Sequence, residues 1–341
     1  VRLAITEEAI REQAKILAGM GFSHFEIAGG DHLPFLRNGL SQLIAALKQE
    51  TRAINPQSRV SMCLVPMHES QYATFKQQGL DCVLTWQETY QRELFNFHIP
   101  SGPKATGIDL EFKMVSGGDG FMARLQSQEF AVRAGLQVGI GTMIGLSDNA
   151  EADILSAVMH GKGLIDHYGD RVLPLIIGMP AWNSITTDAT DNRSALSRPF
   201  DSERNFELIA AIYLLAFPDR RAWVFANGRV HPEVQTNCVV TASCFTSTLV
   251  QIAPGAYLGL DPELTRGTKL VRFFAKKSLA DEEVTQENIL SGEQFMHYLL
   301  SHDEFVSKFT SRGLSMVSDQ CLLDQQMPRE SAAAVQDAEL V

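Results

Sequence analysis

Short apolar segments alternate with helical patterns along most of this chain, and that alternation is the feature that most restricts its fold. Each segment is typical of a buried strand, because it is brief, rich in branched or aromatic residues and bounded by turn residues. Strands that alternate with helices pair in parallel through right-handed crossovers, which predicts an α/β fold. The predicted strands lie in residues 24–31, 61–66, 82–90, 137–145, 173–181, 221–227 and 247–255.

The number of strands indicates a (β/α) barrel of the TIM type whose first strand is missing from these residues. Such a barrel has eight strands, whereas the pattern gives seven. The chain opens instead on a predicted helix, with Thr6 as its cap and Gly21 at its end. The expected divisions are the barrel over 1–260, a helical extension packed on it over 261–324 and a flexible tail over 325–341.

Charge and composition favour small-molecule chemistry. The formal net charge of -11 argues against a nucleic-acid partner, because such proteins cluster Lys and Arg against phosphates. No apolar run approaches the roughly 20 residues that cross a bilayer, and the first residues lack the apolar core of a signal peptide. We therefore expect no membrane partner and a cytoplasmic location. The five cysteines are scattered through apolar stretches, which predicts buried thiols rather than a disulfide framework.

Two connections are longer than the few residues usual in such folds. Residues 98–120 follow the predicted fourth barrel strand, and residues 183–200 follow the sixth. Both lie after strands, on the face where barrels build active sites. Either could equally be a surface insertion.

Polar residues gather where the predicted strands end, although conventional catalytic signatures such as a P-loop, HExxH or GxSxG are absent from the sequence. Side chains at the carboxyl ends of barrel strands converge on one pocket. These residues are Gly29, Gly30, Asp31, Gln87, Glu88, Thr89, Tyr90, Asp148, Asn149, Asn227 and Arg229.

Each of these residues also has a structural interpretation. Gly29 and Gly30 are as compatible with an ordinary turn as with a ligand site. Glu88 is also placed to cap the next helix. Basic residues are usually solvated charges, and this applies to Lys104, Arg124 and Arg133.

The order of several motifs is more specific than any one of them. QETY at 87–90 is followed by HIPSGPK at 98–104, RL at 124–125, RAGL at 133–136 and GIGTMIGLSD at 139–148. This order resembles the radical S-adenosylmethionine (SAM) enzymes of the aromatic-amino-acid lyase branch. That branch includes the tyrosine lyases of thiamine biosynthesis and of FeFe-hydrogenase maturation, and tryptophan lyase.

The resemblance implies a SAM site at the carboxyl ends of the strands. Asp31 follows the glycine turn that holds the SAM amino group, and Glu88 stands at the SAM edge of the pocket. Arg124 would clamp the SAM carboxylate, for which the planar guanidinium offers two parallel donors. Adenine would pack against the strand that carries Ile144 and Gly145. The implied cofactor residues are Gly29, Gly30, Asp31, Glu88, Arg124, Ile144 and Gly145.

The substrate pocket departs from the family. The family's PRxRP segment after the sixth strand carries arginines for the substrate carboxylate, whereas residues 178–183 contain no arginine here. We therefore expect a substrate other than free tyrosine or tryptophan, one more neutral or more apolar near the sixth strand, although Arg229 could replace the lost cation. The predicted pocket residues are Gln87, Tyr90, Trp182, Asn183, Asn227 and Arg229.

The family also binds a 4Fe–4S cluster through a CxxxCxxC loop after the first barrel strand, and these residues contain no such motif. Val1 stands where an intact reading frame would have Met, so we expect a fragment whose cluster cysteines lie upstream. We predict about 40 or more preceding residues with a barrel strand and the cysteine motif, since an unclosed parallel sheet leaves an unpaired edge. Reading the upstream DNA checks this. A start codon beside Val1, without the cysteine motif, would reject the enzyme interpretation.

The resemblance implies an enzyme that generates a 5′-deoxyadenosyl radical for lyase or rearrangement chemistry in cofactor or natural-product biosynthesis. Its partners would be a small-molecule substrate and a reductant such as flavodoxin or ferredoxin. One alternative is a non-catalytic homologue that acts as a binding or scaffold protein. A second alternative is an unrelated barrel lyase with Glu88 or Asp31 as its base.

Overall fold

A computed structural model describes the chain at residues 3–147, 149–172, 174–182, 202–218, 221–242, 245–276, 279–290, 300–318 and 323. The strands within these residues are β1 Ala4–Ile5, β2 His24–Ala28, β3 Arg59–Cys63, β4 Cys82–Leu84, β5 Gln137–Gly141, β6 Leu175–Gly178, β7 Ala222–Ala226, β8 Phe245–Thr246 and β9 Phe274–Lys276. The α-helices are α1 Glu7–Gly19, α2 Leu33–Ile54, α3 Glu69–Gln77, α4 Arg92–His98, α5 Pro103–Thr106, α6 Gly120–Arg133, α7 Ala150–Tyr168, α8 Ser202–Ala216, α9 Pro232–Ala242, α10 Pro262–Thr265, α11 Gln286–Leu290 and α12 His302–Thr310.

Seven parallel strands form one sheet in the order β2-β3-β4-β5-β6-β7-β8. Each strand pairs with the next along the chain, so Glu26 on β2 lies opposite Ser61 on β3. The sheet curls strongly. This is shown by the rings of His24 on β2 and Phe245 on β8, the first and last strands of the sheet, whose centroids lie 4.9 Å apart. The curl confirms the predicted α/β barrel class.

The first six predicted strands are confirmed, and the seventh is misplaced. We predicted it at 247–255, but β8 lies just before that range. Leu249 has φ 54°, a left-handed conformation that an extended strand does not contain. The carbonyl of Ser247 accepts a hydrogen bond from the Gln235 side chain at 2.7 Å. The apolar run therefore belongs to a loop.

The amino-terminal helix begins as predicted. The Thr6 hydroxyl accepts a hydrogen bond from the backbone N–H of Ala9 at 3.2 Å, and two acidic residues follow in the first turn. The sequence analysis missed β1, which precedes this helix and pairs antiparallel with β9. A strand of two residues is too short to show a period of its own.

The curved sheet separates two apolar layers, because successive side chains on a strand point to opposite faces. The outer face packs against the helices in the main core, as Val60 of β3 and Val83 of β4 do. The inner face encloses a space that we call the lumen. The side chains that we call the lumen cluster are Cys63, Cys82, Leu84, Trp86, Ile176, Trp223, Phe225, Phe245 and Leu323.

A second apolar core joins the start of the chain to its later part. Ala9 of α1 packs there with Leu258, Phe273 and Ile289. The divisions at residues 260 and 324 stay a prediction. The connection 183–200 and the tail 325–341 lie outside the described residues. Within the described part of the chain, none of the helices has the length and apolar character that spanning a membrane requires.

Candidate active site

The segment that follows β4 leaves the sheet in a strained conformation. The N–H of Gln87 donates to the carbonyl of Gly141 at 2.9 Å, and the N–H of Met143 donates to the carbonyl of Glu88 at 2.8 Å. Glu88 itself has φ 69°, which costs a residue with a side chain on the order of 1 kcal/mol. Its side chain is buried at the carboxyl end of the strand.

Asp153 of α7 holds this segment in place. Its carboxylate accepts hydrogen bonds from the Thr89 hydroxyl at 3.0 Å and from the backbone N–H of Tyr90 at 2.8 Å. Asp153 is buried, and burial raises the pKa of its carboxyl despite these bonds. Both contacts lie directly after Glu88, so Asp153 fixes the turn that carries it.

Two cations share the Glu88 carboxylate. Lys104 and Arg124 both contact the same oxygen, the Arg124 Nη2 at 3.4 Å. Arg124 is anchored by a second bond from its Nε to the carbonyl of Trp86 at 2.7 Å. Burial opposes ionisation of Glu88, but Lys104 and Arg124 outweigh it and hold its pKa below the ordinary value. Glu88 is therefore a charged member of this cluster.

Asp31 lies within the electrostatic reach of the same group. Burial raises the pKa of the Asp31 carboxyl, Lys104 and Arg124 lower it, and Glu88 raises it. The described residues give the Asp31 carboxylate no hydrogen bond or ion pair of its own. The sequence-predicted residues Asp31, Glu88 and Arg124 are thus brought together by three different elements.

Lys104 reaches this cluster because α6 packs very closely against the short helix α5. A Cβ atom built on Gly120, the first residue of α6, would lie 2.1 Å from the carbonyl oxygen of Lys104 and 2.5 Å from that of Ala105. Only glycine allows this approach of two backbones. The contact explains why Lys104 on this short helix reaches Glu88 rather than being the solvated charge considered above.

The lumen below the cluster is mostly apolar. A Cβ on Gly178 would lie 2.5 Å from the ring of Trp86, so this glycine makes room for the indole. Three polar groups interrupt the apolar wall. Burial raises the pKa of the Cys63 thiol, and Glu26 raises it further. Burial lowers the pKa of Arg229, while Glu88, Cys63 and Glu26 raise it.

Three sequence-predicted side chains point into the helical layer rather than the lumen. The Gln87 amide donates to the carbonyl of Phe121 at 3.3 Å, and the Tyr90 hydroxyl lies 2.8 Å from Nδ1 of His160. Ile144 is buried in the main core. Their roles toward SAM or substrate stay predictions.

The remaining predicted residues lie near the strand ends. Gly145 has φ 92°, and Gly29 and Gly30 are exposed at the end of β2. Trp182 is half-buried, and its backbone N–H donates to the carbonyl of Ile144 at 2.7 Å. Asn227 accepts a hydrogen bond from the N–H of Arg229 at 3.1 Å. Asn183 and Asp148 lie outside the described residues.

The sequence analysis did not select Glu26 or Asp153, and it treated Lys104 as solvated. Glu26 carried a usable signal, because a carboxylate in the middle of a short apolar strand is unusual. Asp153 did not, since an acid in the first turn of a helix is common.

Comparison with known proteins gives two curated relatives and several solved structures, while no protein-family model matches. The chain is 30% identical over 173 residues to 2-iminoacetate synthase of Escherichia coli K12, a match that covers 49% of the chain and 40% of that enzyme. It is 27% identical over 168 residues to 2-iminoacetate synthase of Salmonella typhimurium LT2, with the same coverage. The chain thus spans less than half the length of these relatives.

The solved structures share the fold. The FeFe-hydrogenase maturase HydG from Carboxydothermus hydrogenoformans has a TM-score of 0.66 at 18% identity, over 92% of this chain and 60% of that one. Methylornithine synthase (PylB) has a TM-score of 0.58 at 15% identity, over 94% and 76% respectively. The chain is thus a homologue of 2-iminoacetate synthase by sequence, and the solved structures add a shared fold.

Proposed function

We propose that this chain is the SAM-binding and substrate-binding barrel of a radical SAM enzyme that carries out lyase or rearrangement chemistry on a small molecule. The observation that carries the proposal is the grouping of Asp31, Glu88, Lys104 and Arg124 at the carboxyl ends of the strands, above an apolar lumen. The sequence match to 2-iminoacetate synthase supports the same chemistry.

The charges of this cluster fit SAM, which carries an ammonium and a carboxylate on one end. Asp31, which has no partner of its own among the described residues, would accept hydrogen bonds from the ammonium. Arg124 would donate to the carboxylate, and its anchor on Trp86 would orient it. When bound, SAM and a reduced 4Fe–4S cluster supply a 5′-deoxyadenosyl radical that abstracts hydrogen from a substrate. The proposal assigns no cluster ligand among the described residues.

The side chains that line the lumen would bind the substrate and exclude water. The lumen cluster offers an apolar wall, in which Trp86 and Phe225 rings lie 6.2 Å apart between centroids. Met179 does not add to this wall, because it is fully buried in the main core. A flavodoxin or ferredoxin would supply electrons. The lack of arginine at 178–183 favours a substrate other than free tyrosine or tryptophan.

Replacing Arg124 with Ala should weaken SAM binding roughly 10- to 100-fold, because a charge-assisted bond to the carboxylate would be lost. The measurement is calorimetric titration of the reconstituted full-length protein with SAM. Arg133→Ala on the same helix is the matched control, since Arg133 is exposed and pairs with Glu69. Equal SAM affinity in the Arg124→Ala variant and this control would remove Arg124 from the proposed site.

Formation of 5′-deoxyadenosine from SAM and dithionite tests the activity itself. A radical enzyme forms it at least slowly without substrate. A full-length protein that binds SAM and carries its cluster, yet forms none with any substrate, would be the non-catalytic homologue instead.

A further inference from the structure

Large apolar side chains cover the outward faces of helices α7 and α8. Leu155 and Met159 lie four residues apart on α7 and are both exposed, Met159 to 65%. On α8 the exposed residues are Leu208, Ile212 and Leu215, the last to 79%, and their spacing puts them on one face of the helix. We call these five residues the outer patch.

The two helices are neighbours, so the outer patch is one surface. Each helix follows one of two adjacent strands, β5 and β6, and both therefore run in the same direction over the sheet. Counted from the start of each helix, Leu155 is nearly level with Leu208, and Met159 with Ile212. Every exposed side chain that the structure describes on α8 is apolar. A helix that is apolar on its outer face as well as its inner one is usually covered.

The outer patch lies over the middle of the sheet rather than at its open edges. A further strand of the same chain would join at β2 or β8, which end the sheet. Helices α7 and α8 instead pack on β5 and β7, on either side of the central β6. A strand that completed the barrel would therefore leave the outer patch exposed, which favours a separate molecule as its cover.

Charged residues stand at both ends of the exposed stripe on α7. Glu151 lies one turn before Leu155, and Lys162 lies about one turn after Met159. A second copy of this helix that crosses antiparallel would put the partner's Leu155 against Met159. The same rotation would put the partner's Lys162 beside Glu151, so that opposite charges meet at both ends. The stripe is thus complementary to itself under twofold rotation, as an interface between two identical subunits requires.

The size of the outer patch also suits a second copy. Its side chains expose on the order of 500 Å², near the upper limit of the largest apolar patch on a typical monomer. Burying it on two copies would remove on the order of 1,000 Å² of apolar surface from water. The charged ends of the stripe add to this area and bring the contact into the range of standard interfaces, at about 1,200 Å² or more.

We propose that the outer patch is the interface of a twofold homodimer in which α7 packs antiparallel on α7 of a second copy of this chain. A crossing angle of about −50°, common between packed helices, would carry one half of the second α7 across α8. The apolar surface extends over both helices for that reason. This inference goes beyond the proposed function, because it concerns the outer side of the helical layer and not the lumen.

The oligomeric state of the reconstituted full-length protein tests the interface. Sedimentation velocity over a series of concentrations should show a dimer with a Kd of about 1 µM or tighter. Met159→Lys would bring two like charges into the apolar centre and should weaken the dimer about 100-fold or more. Met114→Lys is the matched control, since Met114 is 60% exposed but lies in the connection after β4. Thermal melts confirm that both variants fold.

A charge exchange on α7 tests the antiparallel arrangement. Glu151→Lys and Lys162→Glu should each weaken the dimer about threefold to tenfold, because each replaces attraction with repulsion at both ends of the contact. The double variant restores opposite charges and should recover the wild-type Kd, a response that a different protein or a lipid surface on the patch would not give.

Three results would overturn the inference. The first is a full-length protein that stays monomeric at about 100 µM. The second is a dimer that Met159→Lys weakens no more than Met114→Lys does. The third is a double charge variant that binds no more tightly than the single ones.

Discussion

Lowering the pH from 7 to 4 is expected to reduce the free energy of unfolding by about 3 kcal/mol through His160 alone. Burial lowers the pKa of His160 from 6.5 to about 4. The unfolded chain therefore gains a proton on this residue as the pH falls below 6.5, whereas the folded chain resists it. Each pH unit between these values costs about 1.4 kcal/mol. The stability is fully present above pH 6.5 and is lost as the pH falls toward 4.

The neutral imidazole of His160 has a structural role, because it forms a hydrogen bond with Tyr90. Burial raises the pKa of the Tyr90 hydroxyl, so Tyr90 keeps its proton and can donate it to Nδ1 of His160 in the tautomer whose proton is on Nε2. Protonation of His160 would remove that acceptor. The same residue thus links α7 to the segment that carries Glu88.

Denaturant unfolding at pH 7, 5.5 and 4 measures the effect, and His160→Asn should flatten the pH dependence because an amide oxygen accepts without titrating. Buried carboxyl groups such as Asp153 also contribute to the profile, so the result is the difference between wild type and variant. His167→Asn on the exposed face of the same helix is the control. A wild-type profile that matches that of His160→Asn would show that His160 titrates normally.

Gly120→Ala is expected to cost about 3 kcal/mol of stability or more and to weaken SAM binding at the same time. The new methyl group would meet backbone carbonyls at 2.1 and 2.5 Å, which no rotamer change can relieve. Helix α6 must then move away from α5, and Lys104 leaves Glu88 with it. The measurements are denaturant unfolding and SAM titration of the same variant.

Gly163→Ala provides the matched control for this experiment. Gly163 also lies in a helix, but it is exposed and a Cβ there meets nothing within 4 Å. Replacing it should stabilise the chain by up to ~1 kcal/mol, because alanine favours the helix. If both glycine variants had the same stability and SAM affinity, the close contact of α5 and α6 would not contribute to either.

The order of the strands was predictable because a buried parallel strand is a short apolar run between turns, and six such runs suffice to define the sheet. β8 was misplaced because two strand residues precede a longer apolar loop, and only the backbone of Leu249 shows where the extended conformation stops. Hydrophobicity alone cannot distinguish a buried strand from an apolar loop.

The grouping of polar residues was predictable where a motif fixes a residue to a strand end, as for Asp31, Glu88 and Arg124. Their roles toward SAM stay predictions. The grouping was not predictable where a contact between distant parts of the chain brings a residue to the cluster. Lys104 depends on the approach of Gly120 from another helix, and no local pattern reports such a contact. The direction of Gln87 was missed because strand alternation continues past β4 and turns this side chain toward Phe121.

The three tryptophans of this chain all lie at or beside the lumen. Trp86 and Trp223 belong to the lumen cluster, and Trp182 stands just after β6. Indole emission responds to the polarity around the ring, and this sequence has no other tryptophan that would add an unrelated signal. The ultraviolet fluorescence of the unlabelled chain therefore reports on the space enclosed by the sheet, so that the exchange of water for an apolar ligand can be followed optically.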